Sequence, residues 1–544
     1  MSRAKIFLLL LLLPLLISCG GQTSPSVIHY KPTLDSLKQH PLPEWYDDAK
    51  LGIMIHYGIY SVDDLAWAPV VDPSGFGSNY FINNPYAEWN YNTMNIPGSP
   101  IQQHLLATLG TIEYFSYIST FDAQSQLWNP QDWVNIIKSA GAKYAVLVTK
   151  HCDGFTLWPC PYSNPYIPSY EAQRDIVGDF VNSMRADGTM KVGFYYCGGY
   201  DWLWSEGQAR GGPVTDSRIT TPITNNLIAI AKIPQDINYI EYCNNQYRDL
   251  ITRYHPDLLW NDVAMPLLFP KLQLIADYYN SFESTAGAAG VVINNRWAQD
   301  LVNLLESFSP TQDQALIDLA LTTNWFDYYN IEYPTNGQYV YTTKKWEADR
   351  ALGYSFGYNK QEETDQSHAL SAEAVVRMLA DIVSKNGNLL LAITPKADGT
   401  IPSWQVTRVQ AMGNWLSNNG SSIYATRPWV TPEGYAQISA GSTLGVRYTR
   451  SKDNSLLYVI LMTNPKSQDV ILTDSQFLSL AAGTTITVLN GSSPITASWQ
   501  AVPSGTLVKL SALSGLTNDD FPLCLKISPN PTSSSTSSSS HTSP

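Results

Sequence analysis

Charged residues make up only 15% of this 544-residue chain, and acidic side chains outnumber basic ones, 46 against 33, for a formal net charge of -13. No basic footprint is present to neutralise phosphates, which argues against a nucleic-acid partner. Cysteine is scarce as well: there are six, none in the CxxC spacing of a zinc framework, so no metal is expected. No repeat with the period of a solenoid is visible. Beyond the extreme N-terminus, no apolar run is long enough to cross a bilayer. What is abundant is aromatic surface, with 16 Trp and 33 Tyr. Such rings suit stacking against a neutral polar ligand such as a sugar, although an aromatic core gives the same count. The length points to a large catalytic unit with a smaller companion.

The N-terminus reads as a secretion signal over 1–18: Arg3 and Lys5 precede the apolar run IFLLLLLLPLLIS. The ending LISC followed by Gly20 resembles a lipoprotein processing site, making Cys19 the expected point of lipidation. The protein is then expected to be exported, either as a periplasmic or cell-surface lipoprotein or as a secreted protein, with membrane contact only through that anchor. Residues 19–41 read as a linker. The other five cysteines, Cys152, Cys160, Cys197, Cys243 and Cys524, leave an odd thiol if any pair, and the spacing of Cys152 and Cys160 would permit a disulfide.

Between residues 130 and 262 a helix-then-strand unit recurs. Trp133, Ile136, Ile137 and Ala140 mark a helical face that Gly141 ends, and the strand YAVLVTK follows. Second and third copies run from Asp175 to KVGFYYC and from Tyr247 to DLLWND. Helices alternating with continuously apolar strands predict a parallel sheet, and the length favours a (β/α)8-like TIM barrel over residues 42–425. Five strands end in polar or aromatic groups, around His56, His151, Tyr195, Asp262 and Arg296, which is where barrels place their chemistry. From 426 to 527 the pattern changes to short alternating strands, predicting a C-terminal β-sandwich. Residues 528–544 form a Ser/Thr/Pro-rich tail expected to be disordered, and Asn419 and Asn490 begin Asn-Gly-Ser sequons.

Hydrolysis of a glycosidic bond needs two carboxyls and no cofactor. Asp262 ends an apolar strand on the same side as Trp260, which nominates it as nucleophile, although a cap or turn residue reads the same way from sequence. For the acid the residues alone leave Glu283, Glu306, Glu332 and Glu347 open.

The motifs WYDDAKLGIMIHYG, AEWN, AGAKYAVLVTKHCDGFTLWP, RDIVGDFV, KVGFYYCGGYDW, RYHPDLLWND, NNRW, SFGYN and DIVSKNGNLLLAITPKADGTIP occur in this order. Together they resemble the α-L-fucosidases of glycoside hydrolase family 29 over roughly residues 42–430. The resemblance implies a retaining exo-glycosidase that removes terminal α-L-fucose from glycans through a covalent intermediate, without a cofactor. It assigns Asp262 as nucleophile and, through FDYYNIEY, Glu332 as acid/base, with Glu283 and Glu306 in reserve; the segment 298–325 is longer than such families carry. It also implies a sugar pocket of His56, Glu88, Trp89, His151, Cys152, Tyr195, Trp260, Arg296 and Phe356, with Trp89 and Phe356 as the apolar wall for the sugar methyl.

One position departs from that family, which usually reads KHHDGF where this chain reads KHCDGF. A thiol is a poorer donor and acceptor than imidazole. The departure therefore leaves two further readings open: a same-fold glycosidase with shifted sugar preference, and a surface carbohydrate-binding protein that has lost turnover. A cysteine hydrolase is disfavoured, because His151 and Cys152, adjacent on a strand, face opposite ways.

Overall fold

A computed structural model of the chain describes residues 28–532 apart from 73–78, 112, 284–289, 299–324, 335–343, 439–440 and 490–492. The signal segment 1–18, Cys19, Glu306, Asn490 and residues 533–544 lie outside the described residues, as does the side chain of Glu283.

Eight parallel strands build the first unit: β1 (Leu51–Ile55), β2 (Tyr144–Lys150), β3 (Lys191–Cys197), β4 (Leu258–Asp262), β5 (Val292–Ile293), β6 (Tyr329–Glu332), β7 (Trp346–Ala351) and β8 (Gly387–Ile393). Their order is β5-β4-β3-β2-β1-β8-β7-β6, and a single parallel bridge between Asn294 and Tyr328 joins the two ends. The sheet is thus a closed barrel, as the alternation of helix and apolar strand predicts. Every residue of β2 and β8 is buried, because one face packs on helices and the other fills the barrel.

The helix starts are written in the sequence. Asn129, Asp175 and Asp236 accept from the backbone N–H of Gln131, Gly178 and Tyr239 and so cap the helices Pro130–Ser139, Ile176–Asp187 and Ile237–Tyr254. Gly141, at φ 84°, lets the chain turn from the first of these into β2. On that first helix the buried face is Trp133, Val134 and Ile137, followed by Ala140, with Ile136 at its edge.

The second unit has nine antiparallel strands: β9 (Thr426–Ile438), β10 (Thr443–Ser451), β11 (Leu457–Leu461), β12 (Val470–Leu472), β13 (Thr485–Leu489), β14 (Ile495–Ala497), β15 (Trp499–Val502), β16 (Gly505–Val508) and β17 (Leu523–Ser528). They run in the order β14-β13-β17-β11-β10-β9-β12-β16-β15. The sheet folds over on itself: Val470 and Val508 from one half share a core with Ile486 and Val488 from the other, and the Trp499 indole donates to the Thr484 carbonyl at 2.9 Å. Alternation on β11 divides its side chains between two cores. Leu457, Val459 and Leu461 enter the domain's own core, while Tyr458 and Ile460 join that of the barrel.

Two expectations change. The predicted linker is, from residue 28, a packed strap: Tyr30 is buried and its N–H donates to Asn280, while His40 pairs with Asp327 at 2.6 Å and stacks on Tyr279. The beginning of the predicted tail is also packed, since Asn530 is buried and accepts from the Trp429 indole at 3.0 Å. Asn419 is buried and its amide donates to the Trp415 carbonyl, so this sequon is closed to a glycan in the folded chain. Among the described residues no helix is long and apolar enough to cross a membrane.

Candidate active site

The C-terminal ends of the strands converge, as barrel geometry requires, on one set of rings and carboxyls. Inward alternation on β4 places Trp260 and Asp262 on the same face. Trp260 is fully buried, and its indole donates to Glu347 of β7 at 3.1 Å. Asp262, one pleat nearer the rim, accepts from the Arg296 guanidinium at 2.5 Å, from the Val263 N–H at 2.8 Å, and from the Tyr195 hydroxyl. Val263 itself has φ 58°, a left-handed conformation that β-branched residues avoid. Its neighbours hold it there: the N–H of Gly198 donates to the Asp262 carbonyl, and a Cβ on Gly199 would strike Ala264 O at 2.2 Å. The backbone after Asp262 is therefore fixed at some cost in strain.

Arg296, in the short helix Asn295–Trp297 after β5, clasps the two candidate carboxyls. One Nη meets Asp262 and the other meets Glu332 of β6 at 3.2 Å, while the guanidinium lies 4.6 Å above the Trp260 ring. Asn330 accepts from its Nε and Nη2 at 3.2 and 2.9 Å, which sets the plane of the fork. Glu332 also accepts from the Tyr86 hydroxyl at 3.0 Å, and about a third of its side chain is exposed, 35%. Two carboxyls on one guanidinium, one ringed by donors and one open at the rim, is an arrangement suited to a nucleophile and an acid/base partner.

The other nominated residues join through ring contacts. Phe356 lies 5.4 Å from His56; His56 lies 5.7 Å from His151 and 5.6 Å from Tyr195; Tyr195 stacks on Trp260 at 5.2 Å. Trp89 reaches the group through Trp202, 5.2 Å away, which in turn lies 6.3 Å from His151. Burial pushes both imidazoles down, His56 well below its usual range and His151 to about 3, so both are neutral. The Nδ1 atoms of His56 and His151 are buried without a protein partner. A neutral imidazole with an open nitrogen can read a hydroxyl as donor or acceptor.

Glu88 is held from the far side. Its carboxylate accepts from the Gly357 N–H at 2.6 Å and the Ser355 hydroxyl at 3.3 Å. Burial raises it to about 8, so it is protonated at neutral pH and has a proton to donate.

The KHCDG turn distributes its side chains four ways. Lys150 pairs with buried Asp201 at 3.4 Å, His151 faces the rings, and Asp153 accepts from Tyr114 at 2.7 Å. Cys152 turns onto Cys197, Sγ to Sγ 2.9 Å, rather than toward Cys160, whose thiol meets the Tyr162 carbonyl. Burial pushes the Cys152 thiol well up, which disposes of a nucleophilic cysteine. Among the described residues, one set of metal-competent atoms lies close together, Cys152, Cys197 and Asp262.

Of the acids left open by sequence, Glu347 is fully buried and saturated by Tyr46, Tyr144 and Trp260, a ring-positioning role. Tyr86, Asn330 and Trp202 were not nominated. Asn330 shares the inward face of β6 with Glu332, a signal that alternation offers; Tyr86, in a loop, and Trp202, the first residue of the helix Trp202–Arg210, offer none.

The family model of α-L-fucosidases matches residues 18–421. The chain belongs to the α-L-fucosidase family. A curated α-L-fucosidase from Dictyostelium discoideum is 29% identical over 488 residues, covering 87% of each chain. The plasma α-L-fucosidase of Rattus norvegicus is 28% identical and covers 93% of this chain and 95% of its own. Among solved structures, the α-fucosidase of Thermotoga maritima superposes with a TM-score of 0.71 at 32% identity, covering 92% of this chain and all of that one. That enzyme has also been seen with fucose and with a mechanism-based inhibitor.

Proposed function

We propose that the protein is a retaining exo-α-L-fucosidase in which Asp262 is the nucleophile and Glu332 the acid/base. The observation that carries this reading is the Arg296 fork, which ties one carboxyl from β4 and one from β6 to the same closed, ring-lined strand end. In the first step Asp262 attacks the anomeric carbon while Glu332 protonates the departing oxygen. In the second, Glu332 takes a proton from water as it displaces the sugar from Asp262. Arg296 and Tyr195 hold Asp262 in line; protonated Glu88 and the two neutral histidines are the hydroxyl readers. Trp89 and Phe356 are the apolar wall for the C6 methyl, and the substrate is a fucosylated glycan. The N-terminal segment supports export, with lipidation at Cys19 as the anchor.

The chain freed of residues 1–19 should release nitrophenol from the aryl α-L-fucoside without added metal, and the first-formed sugar, read by NMR, should be the α anomer. No turnover between pH 4 and 8 would sink the enzyme in favour of a binding protein. A second reading, shifted sugar preference, is favoured by one observation: the Cys152 thiol is turned onto Cys197 and supplies no hydroxyl reader. A panel of aryl fucosides, galactosides and other 6-deoxy glycosides, run with wild type, Cys152→Ser and Cys152→His, separates the two. Relative to Cys152→Ser, restored histidine should tighten fucoside KM by about 5- to 150-fold if one reader is missing, the equivalent of about 1–3 kcal/mol.

A further inference from the structure

Two buried cysteines meet beside the nucleophile. Cys197 ends β3 and Cys152 follows β2, its neighbour in the sheet. Their side chains are 0% and 1% exposed and their sulfurs lie 2.9 Å apart. Both sulfurs and a carboxylate oxygen of Asp262 fall within 4.8 Å of one another. Strands adjacent in a sheet are about 4.8 Å apart, within the Cα separation of about 4.4–6.8 Å that a disulfide spans. The other three described thiols have other neighbours: Cys160 faces the Tyr162 carbonyl, Cys243 the side chains of Tyr239 and Tyr196, and Cys524 the Ser422 hydroxyl.

We propose that Cys152 and Cys197 form an oxidation site that closes into a disulfide as the chain folds, bolting the turn that carries His151 to the strand end that follows Tyr195. The compartment rests on the export reading above; the chemistry does not. The oxidant is a small-molecule or protein disulfide. One cysteine loses its proton and attacks a sulfur of that disulfide, expelling one thiolate and leaving a mixed disulfide. The second cysteine, deprotonated in turn, attacks the bonded sulfur of the first and expels the other thiolate. The two thiols lose two protons and two electrons, and the oxidant becomes two thiols. Once the chain is folded, burial excludes the oxidant and disfavours the thiolate, so exchange belongs to folding and the finished bond is shielded from reductant. The two residues are 45 apart, so the bond restricts a long loop of the unfolded chain and favours the fold.

The test refolds the full chain from denaturant, once with reduced and oxidised glutathione and once with excess dithiothreitol. Both samples are alkylated under denaturing conditions and digested. After glutathione, the Cys152 and Cys197 peptides should be found joined and two hydrogens lighter, with Cys160, Cys243 and Cys524 alkylated. After dithiothreitol all should be alkylated, Tm should fall by several degrees, and fucoside KM should rise several-fold with kcat kept. Cys197→Ser should behave as the dithiothreitol sample; if that variant does not fold, the wild-type peptide masses decide alone. Alkylation of both residues after glutathione, or a link to any other cysteine, would overturn the proposal. So would one equivalent of Zn2+ retained through dialysis and lost in Cys197→Ser, which would make the cluster a cation site. Peptide masses need no turnover, so failure here is distinguishable from failure of the fucosidase reading.

Discussion

Asp262 and Glu332 share Arg296 but differ in what surrounds them, and removal should have different signatures. Asp262→Ala should lose about 10⁴-fold in kcat. Azide should then restore turnover by entering from the nucleophile's side, giving the inverted fucosyl azide. Glu332→Ala should lose about 10²–10⁴-fold, and azide should give the retained product. Interchanged azide anomers would swap the two assignments. Glu88 tests the hydroxyl readers. It is raised to about 8, so its proton is present below that pH and lost above it. A contact that needs Glu88 as donor weakens as pH rises through about 8: KM should climb there in wild type and stay flat in Glu88→Gln, which keeps an N–H donor at every pH. A wild-type KM that is constant to pH 9 would remove Glu88 from the donor role.

At the scale of elements, close approaches rather than polar contacts set the tolerance to change. A Cβ on Gly413, in the helix Ser403–Asn419, would lie 1.8 Å from the Ser139 carbonyl at the end of the neighbouring helix. Gly413→Ala should cost about 1–3 kcal/mol, read as a lower denaturant midpoint with kcat unchanged. Equal stability would mean that the helices can part freely. This scale also marks where sequence was enough. The barrel was legible because its strands are continuously apolar and its helices carry their caps; Asp262 was legible because period-two alternation on β4 aligns it with Trp260. Tyr86 was not, since the side chain it reaches is 246 residues away and nothing local marks the pair. The strap at Tyr30 and His40 looked like linker for the same reason, its partners being Asn280 and Asp327.

The whole molecule is joined by charge as well as by the shared face of β11. Arg427 of β9 pairs with Asp47 at 2.8 Å and Asp48 at 2.9 Å, both before the barrel's first strand, and Arg447 of β10 pairs with Asp381. Burial alone would raise Asp47, but Lys345, Lys50 and Arg427 overcome it and lower the carboxyl to about 2. A carboxyl depressed in the folded state stabilises above its unfolded pKa of about 3.9, and that stability disappears as pH falls through its folded value. Between about pH 4 and 2 the fold should thus lose about 2 kcal/mol through this group, and Asp47→Asn should flatten that part of the stability profile. An identical acid profile in the variant would place the joint's strength elsewhere.

The barrel closes through the single bridge between Asn294 and Tyr328, and the two candidate carboxyls lie on opposite sides of it. Both are tied into the hydrogen-bonded sheet, Asp262 opposite Cys197 of β3 and Glu332 opposite Asp349 of β7, while among the described residues only that bridge joins the two ends. The seam runs through the gap that Arg296 spans, from Asp262 on one side to Glu332 on the other. Any motion that widens the seam would therefore change the separation of the two candidate carboxyls before it disturbed the strand pairing on either side.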